Sequence, residues 1–252
     1  MKPFSLIALL AATPFGIASN LGRRNDTTPP KHWAVALFNS FDSIDVFGPL
    51  DPLFYLSFST QIHLSLVAET LSPVYIRPAS PALNVMNSTF SVSLNPTHTF
   101  ASPPPEIDVL LIPGGPGVTS GNVTAVVDFV RRTYPSVKYL LTTCTGAGIA
   151  ARAGVLDGKR ATTNKAAWKA ITSTAPDVEW VSPARWVVDG NVWTSSGVTS
   201  GLDLIFEFIE TFYGADKARR IQGVTEYERN KGKCDDPFAE WHNVTKTGRC
   251  EV

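Results

Sequence analysis

Two apolar runs set the terms on which this chain can fold. Asp108 to Pro113 (DVLLIP) and Lys138 to Thr143 (KYLLTT) are short, do not alternate with polar residues, and end at clusters of small residues. A strand that reads as a continuous apolar run is covered on both faces, and doubly covered sheets are the parallel kind whose helical crossovers pack above and below. The rest of the chain supplies the partners such a sheet needs. Trp33 to Phe38 reads as a first strand, Asn39 to Ser43 as a turn before a short helix, and Gln61 to Ala68 as a second strand. Pro- and Ser-rich, strand-like sequence leads on to DVLLIP. Asn122 to Tyr134 places Val123, Val126, Val127 and Val130 on one helical face. Gly146 to Ala153 and Thr162 to Thr174 are further helix candidates. ARWVVDGNVWTSS sets Asp189 and Gly190 between alternating runs, the signature of a hairpin. Leu202, Ile205, Phe206 and Ile209 define a last apolar face, with Ser200 as N-cap, Asp203 three residues on and Gly214 as the stop. Strand alternating with helix predicts an α/β fold built on a parallel sheet.

The ends are different in kind. Lys2, the apolar stretch Phe4 to Ala12 and the small residues Gly16, Ala18 and Ser19 have the layout of a secretory signal peptide over residues 1–19, followed by a leader over 20–31. That stretch is too short to span a bilayer, so no membrane anchor is expected. Four Asn-x-Ser/Thr sequons, at Asn25, Asn87, Asn122 and Asn243, agree with a secreted glycoprotein. The α/β domain is expected over 32–214, and a C-terminal helix and tail over 215–252. With 22 basic and 22 acidic residues and no charge run, nothing in the charge points to nucleic acid or an anionic membrane as partner.

Three cysteines leave one over in an oxidising compartment. Cys234 and Cys250 share a polar tail that is expected to be mobile, and pairing them closes a loop for which chain entropy gives roughly 3 kcal/mol. Cys144 is then the unpaired thiol. It sits where the KYLLTT strand meets a helix, with Thr142 and Gly146 two positions to either side, the pattern of a nucleophile elbow with Cys in place of Ser. A helix N-terminus beneath it is expected to lower the thiol pKa. The alternative is a small buried cysteine closing a strand. Gly114 and Gly115, after DVLLIP, could aim amides at a negative charge beside Cys144, together with the amide of Thr145. Asp45, among Ile44, Val46 and Phe47, could be a partly desolvated acid with a pKa raised toward neutral; equally, Asp42 could cap a helix and Asp45 be its third-position acid.

LLIPGGPG, CTGAGIAARAGVLDGKRATTN, SSGVTSGLDL and the early D-x-F-G-P at Asp45 to Pro49 resemble the ThiJ/PfpI superfamily, of the class I glutamine amidotransferase-like, flavodoxin-type fold, and most of all its isonitrile hydratase branch. The resemblance runs from Trp33 to Gly214. It implies Cys144 as nucleophile, Asp45 as acid/base, Thr145 as the neighbouring hydroxyl, Gly114 and Gly115 as an anion pocket, and a homodimer without cofactor. Many relatives carry His where this chain has Asn164, and the four histidines, His32, His63, His98 and His242, lie outside the matched blocks. That removes the base of a Cys-His dyad and leaves Asn164 to orient water or substrate. No dinucleotide fingerprint, phosphate loop or metal-ligand spacing is present in the sequence. The expected function is a cofactor-free, metal-free hydratase or lyase turning a small electrophile, an isonitrile, into an N-substituted formamide. The alternatives are a natural-product lyase or isomerase using the same Cys and Asp, and a secreted redox-sensing module.

Overall fold

The computed structural model describes residues 28–251 of the 252-residue chain. The expected signal segment, most of the leader and the sequon at Asn25 lie outside the described residues.

The first half runs β1 (His32–Ala36), α1 (Ser43–Ser57), β2 (His63–Ala68), β3 (Val74–Ile76), β4 (Val92–Leu94), β5 (His98–Thr99), β6 (Val109–Ile112), α2 (Gly117–Ser120), α3 (Thr124–Thr133) and β7 (Tyr139–Thr142). The second runs α4 (Gly146–Arg152), β8 (Arg160–Ala161), α5 (Trp168–Thr172), β9 (Glu179–Trp180), β10 (Trp186–Asp189), β11 (Val192–Ser195), α6 (Val198–Tyr213), α7 (Ala215–Thr225) and α8 (Phe238–Trp241). Seven strands form one sheet in the order β10-β11-β7-β6-β1-β2-β5. All neighbours are parallel except the β10–β11 hairpin at one edge, which turns at Gly190 with φ +60°. Val109 to Ile112 are all buried, as an unalternating run between two helical layers must be. Helices α3 and α4 cover one face, while α1, α6 and α7 pack together on the other. Trp33, Tyr139 and Trp193, from three different strands, meet Phe208 and Phe212 of α6 to close that second layer.

Four expectations need correction. The helix after β1 is not short: α1 runs 15 residues through Pro49 and Pro52. Pro49 cannot donate to the carbonyl of Asp45 one turn back, and the Thr143 hydroxyl donates to that carbonyl instead, at 3.3 Å, so the helix survives its proline by borrowing a donor from β7's end. The segment 162–174 is helical only over Trp168–Thr172, because Thr162, Thr163 and Lys165 spend their side chains on buried hydrogen bonds. Helix α6 starts at Val198 with Gly197 as N-cap, so Ser200 is not its cap and Asp203 is no first-turn acid but the partner of Arg185, whose Nε donates to it at 3.0 Å. The C-terminal tail is docked rather than mobile: Cys234 and Cys250 are disulfide-bonded, Ser182 and Thr247 exchange backbone hydrogen bonds, and Asp236 is buried against Lys165.

Candidate functional site

Strands β1, β6 and β7 are neighbours, and their carboxyl ends deliver three loops to one place. Crevices of this kind, where the strand order reverses, are where open α/β sheets gather chemistry. From β1 comes α1, whose first turn is fixed by Asp42: its carboxylate accepts from the Ile44 amide at 3.0 Å. Asp42 is therefore the cap, as the capping alternative held, but Asp45 is not merely a dipole acid. It is fully buried, and its Oδ2 accepts from the Gly114 amide at 3.0 Å, while Oδ1 is buried with no hydrogen-bond partner among the described residues. Burial and the charge of Asp42 raise its pKa to about 7, against the opposing pull of the Gly114 amide and the Cys144 thiol.

From β7 comes the elbow. Cys144 has φ +54°, a left-handed backbone that a side chain adopts only when its surroundings enforce it. The enforcement is visible on both sides. The Thr163 hydroxyl donates to the Cys144 carbonyl at 3.0 Å, and a side chain at Gly146 would stand 2.3 Å from the carbonyl oxygen of Ile112, so the helix start is pressed against the end of β6. Gly114 lies between the two reactive groups. A Cβ there would sit 2.7 Å from Asp45 Oδ2, 2.8 Å from Cys144 Cβ and 2.5 Å from the Thr145 nitrogen, so all three converge on the space its missing side chain leaves.

Two electrostatic expectations change. The thiol pKa is not lowered: burial first, and the neighbouring Asp45 carboxylate second, push it well above the ordinary value, outweighing the hydrogen bond from the Thr145 amide. The seven residues of α4 cannot offset that desolvation. Nor do the Gly114 and Gly115 amides stand open to a substrate oxyanion. The first donates to Asp45, and the second donates to Thr145 Oγ1 at 2.9 Å, which makes Thr145 a clamp on the β6 loop. Gly115, at φ +138°, also packs so close to Ser40 and Asp42 that no side chain fits.

Asn164 is half-buried beside this site. Its Oδ1 accepts from the Ala167 amide at 3.1 Å, which turns the amide nitrogen toward Gly197. His32 stacks on His63 and pairs with Glu106, and His98 meets Thr97, so none of these three reaches Cys144. Asn87, Asn122 and Asn243 are exposed. Among the described residues no three His, Cys, Asp or Glu side chains are grouped to hold a metal ion, and no helix is long and apolar enough to cross a membrane. Sequence reasoning passed over Lys165. Its ammonium is buried beneath the elbow, bonded to Thr162 Oγ1, the carbonyls of Thr163 and Ala184, and Ser196 Oγ, and paired with Asp236 at 3.0 Å. A lysine in a loop of threonines carries no periodic signal, and its partner lies in a distant tail. A hollow of about 500 Å³ between Pro104, Ile107 and Arg132 opens at the opposite, amino edge of β6 and β7 and faces none of these groups.

Residues 31–211 match the profile of the DJ-1/PfpI family. The isonitrile hydratase of Pseudomonas putida is 34% identical over 193 residues, 76% of each chain. The HTH-type transcriptional regulator GbdR of Pseudomonas aeruginosa is 28% identical over 131 residues, which is 52% of this chain and 35% of the regulator. Among solved structures, a ThiJ/PfpI family protein from Pseudomonas syringae superposes with a TM-score of 0.66 at 24% identity, covering 88% of this chain and 84% of the other.

Proposed function

The chain belongs to the DJ-1/PfpI family, and from that premise we propose that it is a cysteine-dependent hydratase acting on a small electrophile, an isonitrile, to give an N-substituted formamide. One observation carries the reading. A thiol on a strained elbow and a carboxyl with a pKa of about 7 are brought together at Gly114, which has no side chain to hold them apart.

The raised thiol pKa gives Asp45 a defined task. In its carboxylate form Asp45 takes the proton from Cys144 as the sulfur attacks the terminal carbon of the isonitrile, then delivers that proton to the same carbon, leaving a thioimidate. Water adds to the thioimidate carbon, and collapse of the adduct breaks the C–S bond, returns the proton to sulfur and releases the formamide. The net change is addition of one water. Thr145 holds the β6 loop against the elbow, and the Thr145 amide faces the sulfur on which charge develops. The redox-sensing alternative rested on a thiol of low pKa, and burial beside a carboxylate argues against that premise.

The protein acts as a homodimer in this reading, supported by an exposed apolar stripe on α1, where Ile44, Phe47, Phe54 and Phe58 are between 43% and 65% exposed. Secretion is supported by the disulfide and the exposed sequons. The deciding experiment is a panel of isonitriles, methylglyoxal and small amides assayed against the wild type and Cys144→Ser. Formamide production lost in the variant is expected; turnover that survives the substitution, or confined to the other substrates, sinks the proposal.

A further inference from the structure

Helix α6 begins without a side-chain cap. Gly197 at its N-cap offers no side-chain oxygen, so the amides of Val198, Thr199 and Ser200 have no intrahelical or capping acceptor. They open on a recess of about 250 Å³ whose walls include Asn164, Ser200 and, from the tail, Phe238 and His242. Ser200 lines the recess and is only 2% exposed, yet its hydroxyl makes no hydrogen bond among the described residues. The carboxylate of Asp236 is neutralised by Lys165, which itself lines the recess. Asn164 turns its donor end this way because its oxygen is engaged. The recess thus gathers the open amides, the Ser200 hydroxyl and the Asn164 amide nitrogen at the positive end of a 16-residue helix.

Its place along the sheet ties it to the elbow. β11 pairs with β7 in parallel as far as Thr194 opposite Thr142, so the two chains leave the same edge of the sheet side by side, one toward Cys144 and the other toward Ser196 and Gly197. Thr163 binds the Cys144 carbonyl, and the next residue, Asn164, lines the recess.

We propose that the recess at the α6 N-terminus is the substrate's second anchor and takes a carboxylate, so that the substrate is a small electrophile carrying a carboxylate a few bonds from its reacting carbon. This deepens the hydratase reading and rests on it for the word substrate. The carboxylate oxygens accept from the free α6 amides and the Ser200 hydroxyl, Asn164 donates from the side, and the Phe238 ring flanks the linker. For an isonitrile the class is an isocyano carboxylate and the product an N-formyl amino acid.

Binding and turnover test the two readings separately. N-formylglycinate and its neutral twin N-formylglycinamide are titrated calorimetrically into the full-length protein, the Gly197→Asp variant and the Ser200→Ala variant. Gly197 has an extended backbone and room for a side chain, so an aspartate there supplies its own carboxylate to the same amides. The expected result is at least a tenfold preference for the carboxylate in the wild type, its loss in Gly197→Asp, and a weakening of threefold or more in Ser200→Ala. A smaller preference in the wild type overturns the proposal, as does a preference that persists in Gly197→Asp. Should Gly197→Asp not fold, the Ser200→Ala threshold alone decides. Isocyanoacetate and its methyl ester are then compared as substrates: if neither is hydrated while the carboxylate preference stands, the hydratase reading fails and the recess remains a carboxylate site.

Discussion

Two buried polar regions lie side by side in this molecule and meet burial in opposite ways. Around Lys165 and Arg185 every charge has a partner: Asp236 for the first, Asp203 for the second, with threonine, serine and backbone oxygens completing the ammonium. Around Cys144 and Asp45 the groups are left short. One carboxylate oxygen has no partner, the backbone is held left-handed, and the proton is retained to a pH several units above a carboxyl's usual 3.8. Equal burial therefore has two outcomes. Where opposite charges are placed together Asp236 opposes the burial that still pulls the Lys165 pKa below its ordinary value; where an acid faces a thiol burial goes unopposed by any countercharge and the pair becomes poised to move a proton. Reactivity here comes from incomplete pairing.

Removing the sulfur breaks the comparison most completely. Cys144→Ala should reduce turnover to the uncatalysed background while leaving the unfolding midpoint nearly unchanged, as measured by formamide formation and urea denaturation; retained activity would end the covalent mechanism. Next, Asp45→Asn should cost two to four orders of magnitude in rate. The same variant should be more stable than the wild type at pH 8, and the sign follows from proton binding. Asp45 titrates near 3.8 unfolded and near 7 folded, so its stabilising contribution is fully present below about pH 3.8 and is lost as the pH rises through about 7. The gain at pH 8 is on the order of 4 kcal/mol and should vanish by pH 3.5. A capping role predicts a loss instead. In the wild type, kcat/KM should rise through about pH 7 as the carboxylate forms.

In the paired region the expected damage is to the fold. Asp236→Ala leaves the Lys165 ammonium buried without its counter-charge and should cost about 3 to 5 kcal/mol; denaturation of the variant measures it, and an unchanged midpoint would mean that the four neutral acceptors suffice. Reducing Cys234–Cys250 should cost up to about 3 kcal/mol. The smallest effect is kinetic: iodoacetamide at pH 7 should label Cys144 more slowly than free cysteine, because the buried thiol holds its proton. Faster labelling would restore the lowered-pKa expectation.

The sheet was readable because Val109 to Ile112 and Leu140 to Thr142 are buried on both faces, and that condition writes itself into local composition. The elbow was readable for a similar reason: small residues two positions from Cys144 are needed within a few residues of chain. What stayed hidden depends on contacts between distant segments. Nothing local says that Thr143 would supply the donor that Pro49 lacks, that Asp203 would answer Arg185, or that Asp236 would reach Lys165. The thiol pKa was misjudged because a sequence displays the helix that stabilises a thiolate but not the depth of burial that opposes it.

The docked tail has a consequence for the way the protein is made. Ribosomal synthesis delivers the chain from its N-terminus, and domains begin to fold as they emerge. Lys165 and the strands around it exist long before Asp236, so the nascent chain must either keep that lysine in water or bury it unpaired. Only when the final stretch has left the ribosome can the ion pair close, the disulfide form and Phe238 and His242 complete the recess. A product cut short between the end of α7 and Asp236 would therefore carry its nucleophile, its acid and its whole sheet, yet arrive with a lysine that has no place to go.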